Sequence, residues 1–250
     1  MFVFVTLLLA AGGALGIPSR YPTSNLYEGR NSRIINGVDA ADGEFPFQVS
    51  LRAVANSHYC GGSIISEYNI LSAAHCFTQV MPGLVFVGTN RIDDKEATYY
   101  QALGVRIHED FNMATLHNDV AVVRVDKQIV YTNKVYLVAL DRTFIKEGMN
   151  SVISGWGRTE QGVPNKLQRT DVRTISNEEC GKSYLNLLDS QICTYSPYNT
   201  GICGGDSGGP VTHNGIQIGI VSFTVPCAVG HPDGHTRVSS HYDWIHRNMQ

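Results

Sequence analysis

The chain has 250 residues, 43% of them apolar, and a formal net charge of −3 at neutral pH. That is ample apolar material for one large or two small buried cores, and the mildly acidic balance lacks the basic surplus that nucleic-acid binding requires. No internal repeat, heptad run or low-complexity tract occurs, so solenoid, coiled-coil and disordered classes fall away as well.

Residues 1–16, MFVFVTLLLAAGGALG, form an apolar run ending in small residues, with Ala14 and Gly16 placed as at a secretory cleavage site. The run is shorter than the roughly 20 residues a membrane-spanning helix needs. It therefore predicts a signal peptide and a secreted, extracellular protein without a membrane partner, although no cationic residue precedes the apolar stretch. Residues 17–33 are polar, turn-rich and poor in core-forming side chains, which predicts a pro-segment. The character changes after Arg33, and 34–250 reads as the functional domain.

Short β-branched runs then recur between Gly, Asn, Asp and Pro clusters: FQVSL (47–51), SIIS (63–66), NILSA (69–73), LVFVG (84–88), VAVVRV (120–125), VYLVAL (135–140), NSVISGWG (150–157), VTHNGIQIGIVSF (211–223) and HTRVS (235–239). This spacing predicts an all-β barrel or sandwich. Only 176–186 and 241–250 suggest helix, and each reads equally well as loop. The terminal one is the stronger, with Trp244 and Ile245 able to dock on the body.

Six cysteines, Cys60, Cys76, Cys180, Cys193, Cys203 and Cys227, form an even set in a secreted chain and predict three disulfides whose pairing the spacing leaves open. No CxxC pair or HExxH occurs, so neither a zinc site nor any other metal or cofactor is expected. Asp93, Asp94 and Glu96 in 88–100 suggest calcium on charge alone; the loop reads better as solvated. His108, His117, His213, His231, His235, His241 and His246 read as surface or packing residues.

Three segments carry the residue types of a nucleophilic site. LSAAHCF places His75 beside Cys76; LHNDVAVVRV places Asp119 at the mouth of an apolar strand; GGDSGGP puts Ser207 on a glycine turn that exposes its hydroxyl. A serine hydroxyl needs a base to attack at neutral pH, and the base needs an acid to hold its tautomer. The three lie far apart in the chain, so only a folded scaffold could unite them.

In that order, following IINGV and joined by YCGGSII, SGWG and TRVS, these blocks resemble the chymotrypsin-like (trypsin-fold) serine peptidases from Ile34 to the C-terminus. The resemblance implies two antiparallel six-stranded β-barrels with a C-terminal helix and a catalytic cleft between them. It implies His75, Asp119 and Ser207 as the triad, the N–H groups of Gly205 and Ser207 as the oxyanion hole, and disulfides Cys60–Cys76, Cys180–Cys193 and Cys203–Cys227. Ser222 matches the residue that hydrogen-bonds the acid, and Ser222, Phe223 and Thr224 match the strand that pairs with substrate. It also implies a zymogen. A trypsin-like activating peptidase would cleave after Arg33, and the freed Ile34 ammonium would pair with Asp206. Activity should then fall as an α-amino group, ordinarily near pKa 7.7–8.0, loses its proton. The implied partners are polypeptide substrates and protein peptidase inhibitors, met by a monomer.

The primary specificity pocket departs from the commoner members. Gly201 stands six residues before the nucleophile, where trypsins carry an acid, while Asp233 stands at a second pocket-base position usually held by glycine. That exchange resembles arthropod collagenolytic, brachyurin-type enzymes of broad preference. Ile202 at the wall and Thr224 at the entrance, in place of glycine, should narrow the pocket. Three preferences therefore stay open: chymotrypsin-like and broad, mixed apolar and basic, or elastase-like. The resemblance predicts a secreted serine endopeptidase and suggests a digestive role; the rival is a non-catalytic homologue that acts as a binding or regulatory protein.

Overall fold

Alternating apolar side chains on short strands can be buried by stacking two sheets or by curling one sheet until it closes. A computed structural model shows two such closures, and describes residues 37–53, 56–159, 162–224 and 226–249. The predicted signal peptide and pro-segment, with Arg33 and Ile34, lie outside the described residues. After a short β1 (Val38–Asp39), the first barrel comprises β2 (Gln48–Arg52), β3 (His58–Ile64), β4 (Asn69–Ser72), β5 (Leu84–Val87), β6 (Thr98–Ile107) and β7 (Ala121–Val125), closed in the order β2-β3-β4-β7-β6-β5. A two-residue β8 (Ala139–Leu140) follows. The second barrel comprises β9 (Asn150–Gly155), β10 (Gln168–Ile175), β11 (Gln191–Tyr195), β12 (Pro210–His213), β13 (Ile216–Phe223) and β14 (Asp233–Arg237). Its sheet runs β10-β11-β14-β13-β12-β9 and closes through the β9–β10 pair. All pairings within the barrels are antiparallel; β8 alone joins β13 in parallel.

Each barrel encloses its own apolar cluster. Val49, Leu51, Ile64, Ile70, Leu71 and Val123 are fully buried in the first; Ile153, Ile192, Val211 and Ile218 fill the second. Helix α1 (Asn177–Cys180) is a single turn capped by Ser176, whose Oγ accepts from Glu179 N–H. Helix α2 (Val238–Arg247) leaves the second barrel directly from β14, yet its Val238, Trp244 and Ile245 pack into the first barrel's cluster. At roughly 1.5–3 kcal/mol per buried large apolar side chain, this helix clasps the two halves. Polar contacts cross between the barrels too. Ser63 Oγ donates to Gln217 Oε1 at 2.6 Å and Ser154 Oγ to Gln48 Oε1 at 2.6 Å, all four residues being buried.

The three disulfides join Cys60 to Cys76, Cys180 to Cys193 and Cys203 to Cys227. Loops of this length make each worth about 3 kcal/mol. Several local expectations need correction. The terminal helix begins at Val238 rather than 241, only 177–180 of the 176–186 segment is helical, and VYLVAL is strand only at Ala139–Leu140. Strands β6, β10 and β11 are additions. Side-chain donors already meet Asp93 and Asp94 of the 88–100 loop, Asn165 Nδ2 among them at 2.7 Å. Arg91 forms a bidentate pair with Asp93, and Thr89 Oγ1 donates to Asp94.

Candidate active site

His75 rides on a one-turn 3-10 helix, Ala74–Phe77, that Cys76 bolts to β3 through Cys60. Asp119 lies just before β7, after Asn118 at φ +53° turns the chain inward, and it is fully buried. Its Oδ1 accepts from the His75 backbone N–H at 2.8 Å and its Oδ2 faces His75 Nδ1 at 2.7 Å. Ser222, on β13, donates to the same Oδ2 at 2.5 Å, and Thr236 Oγ1 donates to the Asp119 carbonyl at 2.8 Å. With Nδ1–H given to the carboxylate, the imidazole is the Nδ1–H tautomer and Nε2 keeps a lone pair. The buried carboxylate is thus satisfied by three donors, as burying a charge demands.

Backbone bonds hold the Ser207 turn against β3 and β13, the strands that carry Cys60 and Ser222. Gly61 N–H donates to the Ser207 carbonyl at 2.8 Å, and Gly208 N–H to Val221 O at 2.8 Å. A Cβ on Gly208 would collide with Ser72 Oγ and the Gly61 carbonyl, so the Ser207 turn presses directly on the segment leading to His75. Gly205 has φ +105°, and a Cβ there would lie 3.2 Å from Gly157 Cα. Around it, Asp206 N–H donates to Cys203 O and Gly209 N–H to Asp206 O. Among the described residues, the N–H groups of Gly205 and Ser207 have no backbone acceptor. Asp206 is fully buried, with Oδ1 accepting from Gly157 N–H at 2.8 Å and Oδ2 from Cys203 N–H at 3.0 Å. Burial pushes its pKa up to about 6 against those two bonds, and no cationic side chain among the described residues pairs with it.

The pocket residues converge as well. Asp233, on β14 and 2% exposed, has its Oδ2 3.1 Å from where a Gly201 side chain would begin, with Ser196 Oγ 3.3 Å from the same point. The carboxylate therefore fills the space that a side chain on Gly201 would need. Ile202 N–H donates to Asp233 Oδ2 at 3.4 Å, while the Ile202 side chain belongs to the second barrel's core cluster rather than standing free in a pocket wall. The Thr224 hydroxyl leans on the Asp233 carboxyl without a hydrogen bond of good geometry. Burial, with Asp206 nearby adding to it, pushes the Asp233 pKa up to about 7. The Phe223 ring lies against Gly234, where any Cβ would collide with it.

Two groups of neighbours escaped the sequence reading. His58 Nε2 lies 3.0 Å from the Gly205 carbonyl and its Nδ1 lies 2.9 Å from Ser50 Oγ; no local pattern marks a histidine two residues before Cys60. Tyr184 meets the Phe223 ring edge-on at 5.1 Å and donates to Pro232 O at 2.6 Å. Together with Leu116 and Leu185 these rings line a cavity of about 250 Å³. Leu116, at φ +54°, could have been noticed only by its closeness in sequence to Asp119.

The Trypsin family model matches residues 34–245. Chymotrypsin-2 of Vespa crabro is 42% identical over 220 residues, covering 86% of this chain and all of that protein. Brachyurin of Leptuca pugilator is 36% identical over 219 residues, 85% of this chain and 96% of that one. Trypsin I-P1 of Gallus gallus is 32% identical over 242 residues, with 94% and 95% covered. The chain belongs to the trypsin family of chymotrypsin-like serine peptidases. It is a serine endopeptidase, a hydrolase acting on polypeptides, and the reading as a mere binding homologue falls.

Proposed function

We propose that the protein is made as a secreted zymogen, becomes active on cleavage after Arg33, and cleaves polypeptides with a broad preference at the residue preceding the scissile bond. Ser207 Oγ attacks the scissile carbonyl while His75 Nε2 takes its proton. The tetrahedral oxyanion is held by the N–H groups of Gly205 and Ser207, each such donor being worth about 3 kcal/mol. His75 then returns the proton to the leaving amine, and water repeats the sequence on the acyl-enzyme. Asp119 holds the tautomer and stabilises the imidazolium, itself fixed by Ser222. Cleavage would deliver the Ile34 ammonium to Asp206, and a buried carboxylate with only two N–H donors is the group that gains most from a cation. Signal peptide 1–16, pro-segment 17–33 and monomeric peptidase domain 34–250 complete the reading. A trypsin-like activator, protein inhibitors as partners and a digestive setting accord with it.

The preference rests on one observation: the Asp233 carboxylate lies against Gly201, and these are the two residues expected at the pocket base. Near neutral pH this carboxyl is divided between its forms. Neutral, it tolerates Leu or Phe; ionised, it attracts Arg or Lys. The ratio of Arg to Leu kcat/KM is therefore expected to rise as pH climbs through about 7, and to be flat in Asp233→Gly. Arg turnover that is absent in both proteins would end an ionic role for Asp233. Labelling with a serine-directed phosphonate tests the catalytic assignment. Ser207 should be modified after tryptic cleavage and spared in the uncleaved chain; equal labelling of both would sink the zymogen reading, and labelling of neither the catalytic one.

A further inference from the structure

We propose that His241 is a positioning residue which, with Asn118, forms a latch worked by a single proton on the loop that carries Leu116 into the apolar cavity and leads to Asp119. His241 lies on α2 and is 4% exposed. Its Nδ1 is 2.9 Å from the Arg237 carbonyl, which can only accept, so Nδ1 carries a hydrogen. Its Nε2 is 3.1 Å from Asn118 Oδ1, which can only accept as well. A neutral imidazole has one hydrogen for these two oxygens, and only the imidazolium satisfies both.

Turning the Asn118 amide over does not remove the conflict. Asn118 Nδ2 donates to the Asp110 carbonyl at 3.1 Å, so a turned amide would give Nδ2 to His241 and set Oδ1 against that carbonyl. Whenever His241 is neutral, the amide stands between two acceptors with one NH2 edge to offer. The two acceptors differ in access to water. Asp110 is exposed and the ring is buried, and a buried polar atom without a partner costs more than a carbonyl that water can reach. With His241 neutral, the amide therefore turns to Nε2 and releases Asp110. With His241 protonated, Asn118 accepts from the ring and straps Asp110, which is the arrangement in the structure.

The bond gained or lost joins the two ends of the 110–118 loop. Asn112 N–H still donates to His117 O at 3.1 Å, so the released loop loosens without unfolding. Leu116 of this loop lines the cavity of about 250 Å³ with Tyr184, Leu185 and Phe223, and Asn118, at φ +53°, directs the chain into Asp119. Burial foremost lowers the His241 pKa below the ordinary 6.5; the Arg237 carbonyl opposes it, His108, edge-on at 5.6 Å, adds to it, and the Asp119 carboxylate opposes it. Glu109 accepts from Trp244 Nε1 at 2.6 Å, and His108 stacks on the same indole at 4.8 Å. The latch is thus closed in acid and open at neutrality.

The consequence for substrates rests on reading Ser222, Phe223 and Thr224 as the strand that pairs with substrate, and the test separates the two. In the uncleaved protein, labelled with 15N in histidine and asparagine, His241 should be the Nδ1–H tautomer at pH 8 and gain its second proton below pH 6.5. The Asn118 side-chain amide should shift with the same midpoint. Asn118→Gly keeps the positive φ but removes the acceptor, and should lower the His241 midpoint. For activated enzyme, two peptide amides are compared that share the residue before the scissile bond and carry either Leu or Gly at every position upstream of it. His75 and Asp233 then titrate alike for both. The Leu-to-Gly ratio of kcat/KM should fall by about two- to tenfold between pH 5.5 and 7.5, the worth of one hydrogen bond, through KM rather than kcat. In His241→Phe the ratio should stay flat. An Nε2–H tautomer, an amide that ignores the His241 titration, or a midpoint unmoved in Asn118→Gly would overturn the latch, even if His241→Phe fails to fold. A titrating amide with a flat wild-type ratio would instead overturn the substrate reading of the cavity.

Discussion

At position 205 two independent constraints require glycine: the left-handed φ of +105° and backbone atoms of Gly157 standing 3.2 Å from any Cβ. Alanine there could be accommodated only by rotating the peptide that presents the N–H. Gly205→Ala is therefore expected to lower kcat by about 10²-fold with KM little changed, measured on a short peptide amide after activation. A variant within twofold of wild type would remove Gly205 from the oxyanion hole. The residues of this centre differ in how far the sequence exposes them. His75, Asp119, Ser207 and Ser222 sit in dense motifs, because each needs a particular neighbour: a cysteine, an apolar strand, a glycine turn. Asp233 is legible only by counting along a loop. Ser50 and His58 carry no local mark, since the contact that joins His58 to the Gly205 carbonyl spans 147 residues.

The strands that were legible are those whose inward positions are apolar. Those missed have a physical reason. Strand β10 turns Gln168, Thr170, Val172 and Thr174 inward, so its period of two is real but mostly polar. Strand β6 is largely exposed and carries a register shift between Ala102 and Gly104, which breaks alternation midway. The same use of buried polar side chains joins the barrels through Ser154–Gln48 and Ser63–Gln217. These bonds hold β2 against β9 and β3 against β13. Ser154→Ala would strand Gln48 Oε1 in a buried seam, costing about 1–3 kcal/mol. Thermal unfolding should fall by about 2–4 °C per kcal/mol lost. No shift would mean that the amide finds water or another donor, and that the seam is wet.

Across the described residues, five buried groups oppose one another in pH. Asp206 and Asp233 have folded pKa values of about 6 and about 7 against an ordinary 3.8. The fold therefore holds their protons more tightly than the unfolded chain does, and the stability they contribute at low pH is lost as pH rises from about 4 to 6 or 7. His58 and His235 have folded values of about 4 and about 3 against an ordinary 6.5. The fold excludes their protons, so their contribution is whole above 6.5 and is lost as pH falls through the same window; burial leans His241 the same way. Two falling slopes and three rising ones largely offset one another, and urea unfolding of the uncleaved chain should give a stability that changes little, with at most a shallow rise, between pH 4.5 and 6.5. Asp233→Asn keeps an oxygen for Ile202 N–H but removes one falling slope. Its stability should then climb by about 1.4 kcal/mol per pH unit through that window, ending roughly 2–4 kcal/mol above wild type at neutrality. A variant that tracks wild type at every pH would mean that the Asp233 carboxyl is solvated in the folded protein. Cleavage after Arg33 should act in the same direction, because an ammonium beside Asp206 would draw its pKa down and cancel the other falling slope. Activated enzyme should therefore gain stability with pH more steeply than the uncleaved chain does.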